Sequence, residues 1–329
     1  MTAIIARPYT SQQDMHTASG AGDEVVVPGS ISNLGPGFDA LSVAVRLHLR
    51  VRITAADDVR TDGLECDFLS GPVPVENRIA TAYARARREL GVPAPGVRIE
   101  VASEIPIRSG LGSSGAATIA GLLLYERITG ARPAAGWLPL ATSIEGHPDN
   151  AAAALLGGLA ASCQHPDGRV TARILPWSAA LALVVAVPQV EVATTAARTV
   201  LPGMIPLRDA VFNLQHALLL VDALRDGDLA AIRDALADRW HQEARAHLVP
   251  GLREALALND PALLGVCLSG SGPSVVGWTT PGREGRIIEL FSGIYAALGI
   301  DARVFPVAVH QPMPPTAVAA AASRQGRPT

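Results

Sequence analysis

The chain has 329 residues, enough for one large or two moderate domains, and its 49% apolar content with only 4% aromatics points to a core of aliphatic side chains. A net charge of −3 excludes nucleic-acid binding by bulk positive charge, but it is compatible with a local cationic site for phosphate. Three well-separated cysteines (Cys66, Cys163, Cys267) exclude a zinc cluster or disulfide framework and favour a reducing, cytoplasmic setting, and no charge-free apolar run reaches the roughly 20 residues of a membrane helix.

Residues 1–23 are polar and lack the apolar core of a signal peptide, so they read as a flexible extension. Val25-Val26-Val27 predicts a strand ending in a loop at Pro28-Gly29. From Leu41 to Ile53, apolar positions alternate in part with Arg46, His48, Arg50 and Arg52, the pattern of a two-faced antiparallel strand. The spacing predicts a helix over Asn77–Leu90, a strand over Val97–Ile105 and an Ala/Leu-rich helix over Gly115–Ile128. Helices follow over Trp137–Glu145 and from Asn150, then an apolar strand over Leu181–Val187. The second half reads as helices at Leu207–Arg225, Leu229–Arg245 and Pro250–Asn259 and a strand at Leu264–Leu268. A loop at Ser269–Ser274 leads to a strand at Val275–Thr279, a helix at Ile287–Leu298 and a strand at Ala302–Val309. Residues 312–329 are Pro/Ala-rich and read as a disordered tail. Strands and helices mix without a strict βαβ repeat, which gives an α+β class.

The sharpest local feature is Ile105-Pro106-Ile107-Arg108-Ser109-Gly110-Leu111-Gly112-Ser113-Ser114-Gly115-Ala116, set between a strand and a helix. Glycines admit close ligand approach, and a helix N-terminus offers unpaired N–H groups and the positive end of its dipole. Ser113 and Ser114 add hydroxyls suited to phosphate oxygens or magnesium. Taken alone, the stretch is equally open to being a serine-capped connection. It lacks the Gly-Lys-Ser/Thr of a Walker A loop and the register of a dinucleotide fingerprint.

This turn resembles the ATP loop of the GHMP kinases, and three further runs resemble homoserine kinases in particular. They are Pro28-Gly29-Ser30-Ile31-Ser32-Asn33-Leu34-Gly35-Pro36-Gly37-Phe38-Asp39, Ile144-Glu145-Gly146-His147-Pro148-Asp149-Asn150, and Leu268-Ser269-Gly270-Ser271-Gly272-Pro273-Ser274. The likeness runs in order from about Val25 to Val309. It implies a two-lobed GHMP kinase fold, with an N-terminal lobe of ribosomal-protein-S5-like type (24–187), a C-terminal ferredoxin-like α+β lobe (188–311) and the active site in the cleft. It implies ATP-dependent phosphorylation of the homoserine side-chain hydroxyl, as in threonine biosynthesis, with ATP and Mg2+ as cofactors, no nucleic-acid or membrane partner, and a possible homodimer.

By the same resemblance, Asn150, Asp39 and Arg198 carry the chemistry. Asn33, Asp39, His147, Asn150, Thr194, Arg198 and Arg245 hold the amino acid, the two arginines gripping its carboxylate. Asn77 lies near the adenine, while Arg108, Ser109, Gly110, Leu111, Gly112, Ser113, Ser114, Gly115 and Ala116 cradle the triphosphate. Ser114 and Glu145 hold the metal. One position departs from the family pattern: the glutamate that usually stands two residues before Glu145, and that binds magnesium, is Ser143. A hydroxyl is a far poorer ligand for a hard dication than a carboxylate. The departure leaves open a divergent enzyme that acts on a homoserine-like or phosphorylated amino acid without kinase chemistry.

Overall fold

The computed structural model describes residues 24–56, 63–70, 74 and 76–312. The expected extension at 1–23 and nearly all of the expected tail lie outside the described residues. The first sheet contains β1 (Glu24–Ser32), β2 (Leu41–Ala56), β3 (Leu64–Phe68), β4 (Val97–Ser103), β5 (Leu159–Gln164) and β6 (Val170–Leu175). Its path is β3-β4-β2-β5-β6, with β1 on the other edge of β2. Helices α1 (Arg78–Leu90), α2 (Ser113–Thr129), α3 (Leu138–Glu145) and α4 (Asp149–Leu156) belong to the same half.

The sequence reads Pro28-Gly29 as the end of a strand, but β1 continues to Ser32. Pairing with β2 shifts register between Pro28 and Gly29 instead of stopping, the irregularity tolerated where proline removes a ladder donor. On β2, Leu49 and Val51 are buried while Arg50 and Arg52 are exposed, and Arg52 reaches Glu100 on β4 at 2.6 Å. The expected two-faced strand is there.

The second sheet, in the order β10-β7-β9-β8, is antiparallel throughout. It is built from β7 (Ala182–Pro188), β8 (Gly265–Leu268), β9 (Val275–Thr279) and β10 (Ala302–Val307). Alternate residues of β7 point into different cores. Leu183, Val185 and Val187 join the large cluster with α2, whereas Val184 and Ala186 pack with Ile287, Phe291 and Tyr295. The two halves therefore share a strand's two faces.

Between β7 and β8 lie α5 (Thr194–Thr199), α6 (Leu207–Asp226), α7 (Ile232–Ala235), α8 (Gln242–Arg245) and α9 (Leu252–Leu256), and α10 (Glu284–Ala297) precedes β10. The single helix read over Leu229–Arg245 is thus two short ones. The break falls at Asp238, whose carboxylate accepts from the backbone N–H groups of Trp240, His241 and Gln242 at 2.8–3.1 Å. A side chain competing for backbone donors restarts the helix. Strands β3, β5 and β6 and helix α5 carried too short a pattern to be read from the sequence.

After β10 the chain does not leave the body. Arg46 N–H donates to Ala308 O at 2.9 Å, His310 N–H to Ala44 O at 2.8 Å and Gly158 N–H to His310 O at 2.7 Å. Residues 308–310 thus fill the stretch of β2 between its β5 partners (through Val43) and its β4 partners (from Leu49).

Candidate active site

Helix α2 starts without a side-chain cap, and Gly112 at its N-cap has φ 73°. Ala116 N–H is the first to enter the helical ladder, on Gly112 O at 2.9 Å. The amides of Ser113, Ser114 and Gly115 therefore have no intrahelical acceptor, and no acidic residue occupies the first turn. Three free donors at the positive end of a 17-residue helix, beside an exposed Ser114 hydroxyl, form a site that fits a phosphate.

The loop before α2 is held from both sides. Ser30 N–H donates to Leu111 O at 3.0 Å, while Ser269 Oγ donates to Gly110 O at 2.7 Å and Ser274 N–H to Ser109 O at 3.1 Å. Leu111 and Ser109 are buried, whereas Arg108 is exposed and bonds Glu191 at 2.7 Å. The chain has no lysine, all 27 basic residues being arginine, so a side-chain cation for the triphosphate has to be a guanidinium. A surface pair such as Arg108–Glu191 exchanges partners at little expense. Asn77 caps α1, its Oδ1 accepting from Ala80 N–H and its Nδ2 donating to Cys66 Sγ at 3.1 Å. No hydrogen bond among the described residues joins it to the loop.

Asn150 stands against this helix start. A Cβ on Gly115 would lie 3.0 Å from Asn150 Cβ, and Ser30 Oγ donates to Asn150 Oδ1 at 2.8 Å. Neighbouring Asp149 is buried, accepts from Asn150 N–H at 2.8 Å and contacts His147 Nδ1 at 2.6 Å. Burial opposes the charge on His147, but the hydrogen bond to Asp149 and the charges of Asp149 and Asp39 outweigh it and raise its pKa.

Asp39, His147 and Asp149 bring ligand atoms within 4.8 Å of one another. Asp39 is held in a bidentate pair by Arg198, at 2.9 and 3.1 Å. The mixed nitrogen and oxygen set, with one carboxylate already engaged, suits an ammonium group better than magnesium. Asn33, nearly fully buried, accepts from Asp39 N–H through Oδ1 and donates through Nδ2 to Gly270 O at 2.9 Å.

Arg245 is buried too. It donates to Ala197 O at 3.0 Å and to Gly270 O at 3.1 Å, and contacts His241 Nδ1 at 3.0 Å. Its Nη2 has no hydrogen-bond partner among the described residues. Both arginines flank the Phe38 ring, their guanidinium carbons 5.8 and 5.3 Å from its centroid. Burial, then the nearby charge of Arg198, lowers the Arg245 pKa to about 10. Two guanidinium groups in such mutual strain favour an incoming anion. Thr194, the remaining expected substrate residue, opens α5 ahead of Arg198.

Family models for the GHMP kinase N-terminal and C-terminal domains match residues 77–158 and 220–292. A homoserine kinase of Solibacter usitatus is 37% identical over 288 residues, covering 86% of this chain and 93% of that protein. One of Thermus thermophilus is 37% identical over 268 residues, with 81% and 90% coverage. The chain belongs to the GHMP kinase family. The crystal structure of a homoserine kinase from Cytophaga hutchinsonii superposes with a TM-score of 0.76 at 28% identity, covering 89% of this chain and 97% of that one. A mevalonate kinase structure at TM-score 0.63 and 14% identity shares the fold.

As a GHMP kinase the protein is an ATP-dependent phosphotransferase. The divergent, non-kinase reading raised by Ser143 is not favoured, since the matching relatives are homoserine kinases. Ser143 lies in α3. Its side chain is exposed and its hydroxyl bonds Leu140 O within the same helix. Glu145 is the residue turned onto α2, accepting from Thr118 Oγ at 2.5 Å, and Thr118 lies one turn beyond Ser114 on α2.

Several residues of this GHMP kinase site carry no sequence signal for their place. Ser30 sits inside a quoted motif, yet nothing in its spacing announces the bond to Asn150. The Gly270 carbonyl, which accepts from both Asn33 and Arg245, is a backbone group and cannot be read from side-chain identity. His241 lies in no quoted motif, yet it bridges Arg245 Nη1, at 3.0 Å, to Gly35 O, at 2.8 Å.

Proposed function

We propose that this kinase transfers the γ-phosphoryl group of ATP to the side-chain hydroxyl of homoserine, in the cytoplasm, and that the residues assembled above perform the transfer. The observation that carries the reading is the position of Asn150, wedged between an uncapped helix N-terminus and a pocket offering one carboxylate cluster and two arginines. A phosphate donor site and a zwitterion site thus meet at a single amide.

Asp39 and Arg198 neutralise each other in the absence of substrate. A zwitterion replaces this pair with two new ones, its ammonium taking Asp39 and its carboxylate taking Arg198 and the open Nη2 of Arg245. An uncharged alcohol can satisfy neither partner. Phosphoryl transfer needs alignment and charge stabilisation more than covalent chemistry. Asn150 orients the acceptor oxygen but cannot accept a proton, so the hydroxyl is activated by position alone. The amides of Ser113, Ser114 and Gly115 stabilise phosphate charge, with Arg108 released from Glu191.

Magnesium fits the oxygen set at α2. Ser114 is exposed, and Glu145, bonded through Oε1 to Thr118 on the same helix face, has no hydrogen-bond partner for Oε2 among the described residues. Bound there, the ion would neutralise phosphate charge. Glu145→Gln is expected to raise the magnesium concentration for half-maximal rate about tenfold, leaving the homoserine KM nearly unchanged. An unaltered magnesium titration would remove Glu145 from the metal site.

The function itself is tested by incubating the purified chain with ATP, magnesium and either homoserine or mevalonate. ADP and O-phosphohomoserine should form with the first alone. Turnover of mevalonate but not homoserine would overturn the assignment.

A further inference from the structure

His48 and His310 face each other where residues 308–310 lie along β2. His48 Nε2 stands 3.3 Å from His310 Nδ1, and the rings meet at 72° with centroids 5.3 Å apart. Pairing of β1 with β2 passes from Val45 to His48, leaving Arg46 and Leu47 as a bulge. Bulges re-aim neighbouring side chains, and this one sets His48 beside the incoming segment. His310 is fixed by two backbone bonds, its N–H to Ala44 O at 2.8 Å and Gly158 N–H to its O at 2.7 Å. Its ring abuts Gly157, where an added Cβ would lie 3.4 Å from Cδ2.

The other nitrogen of His48 decides what the facing one can do. Nδ1 lies 3.4 Å from Glu104 Oε2, the oxygen that also accepts from His48 N–H at 2.9 Å. A neighbouring carboxylate favours the proton on Nδ1, which turns the Nε2 lone pair toward His310. Burial, then the charges of His48 and Arg46, lowers the pKa of His310, so its ring stays in the neutral form that ligates metals.

Facing imidazole nitrogens need something between them, either a shared proton or a cation. A gap of 3.3 Å exceeds the roughly 2.7–3.2 Å typical of a donating N–H. Two histidines on a tetrahedral zinc, each nitrogen about 2.0–2.1 Å from the ion, are held about 3.3–3.4 Å apart, with ring centroids about 5.2 Å apart. The observed 3.3 and 5.3 Å match that span. A carboxylate behind one imidazole is the usual support for such a ligand.

We propose that His48 and His310 bind a late first-row divalent cation, zinc foremost, with water completing its coordination, and so fasten residues 308–310 to β2. Paired imidazoles suit zinc rather than oxygen-preferring magnesium, so this site differs in chemistry from Ser114 and Glu145. Two protein ligands, where structural sites use four, imply a dissociation constant on the order of 10 µM.

Calorimetric titration of zinc chloride into the metal-stripped full chain tests the site. His48→Gln and His310→Ala should each weaken its binding about 100-fold or more, and Glu104→Gln, which alters no ligand, about tenfold. Zinc at ten times its dissociation constant should raise the melting temperature of the parent by about 2–4 °C and leave that of the two histidine variants unmoved. It should also slow amide hydrogen exchange at Gly158 and His310 in the parent. Melting temperatures without zinc distinguish a lost ligand from a lost fold. A titration unchanged by all three substitutions would put the zinc on another group, such as Asp39, His147 and Asp149, and overturn the proposal. A parent chain that binds no zinc below about 1 mM would overturn it as well. So would an affinity indifferent to Glu104→Gln, because the His48 ring would then not be oriented as described.

Discussion

Replacing Gly112 with alanine is expected to remove roughly 1000-fold or more of kcat/KM. The added Cβ would stand 2.1 Å from Ser30 Oγ and 3.2 Å from Asn150 Oδ1, and a residue with a side chain is strained at φ 73°. The side chain therefore strikes the hydroxyl that positions Asn150 while the backbone change tilts the unpaired amides of α2. Misplacement by about 1 Å can lower a rate 100-fold, and loss of an aimed donor adds a comparable factor. Both KM for ATP and kcat should suffer, because one residue serves the donor and the acceptor sides. Steady-state kinetics on a variant shown to be folded by circular dichroism would measure this. Activity within tenfold of the parent would mean that neither the amides nor Asn150 acts where the structure puts them.

The second large effect separates the two arginines. Arg198 is partly exposed, so Arg198→Ala should leave the melting temperature nearly unchanged while raising the amino-acid KM about 100-fold, the worth of a charge-assisted bidentate contact. The KM for ATP should stay within a factor of about two. Arg245→Ala removes a buried guanidinium that bonds Ala197 O, Gly270 O and His241, leaving buried acceptors unpaired. A loss of about 3–5 kcal/mol of stability should accompany the KM defect. Calorimetry alongside kinetics distinguishes the two cases. If either variant raised the KM for ATP and spared that for the amino acid, the carboxylate would lie elsewhere.

The contrast shows how far the sequence can be read. The long amphipathic β2, the Gly-Ser turn and the apolar β7 announce themselves by period and composition, and the ordered motifs carry the family. The break at Asp238 does not, because a carboxylate gathering three backbone donors looks like any other aspartate in a helical run. Position 143 shows the opposite limit. Family pattern makes a serine there alarming, but only geometry shows it facing solvent while Glu145 takes the inner face. The motifs mark both Asp39 and Arg198 as expected substrate residues, yet their mutual pairing joins positions 159 apart in the chain. Alternation on β7 was legible as burial, whereas its division between two cores was not, since a strand buried on both faces reads as one apolar run.

The strap formed by residues 308–310 has a consequence for how the molecule comes into being. A ribosome releases the amino-terminal half first, but the middle of β2 keeps open backbone groups until His310 emerges. The early half must therefore wait, with its hydrogen-bonding edge unsealed, until residues 308–310 have followed the whole of the second sheet. Closing the first sheet is in this way the last act of building the second.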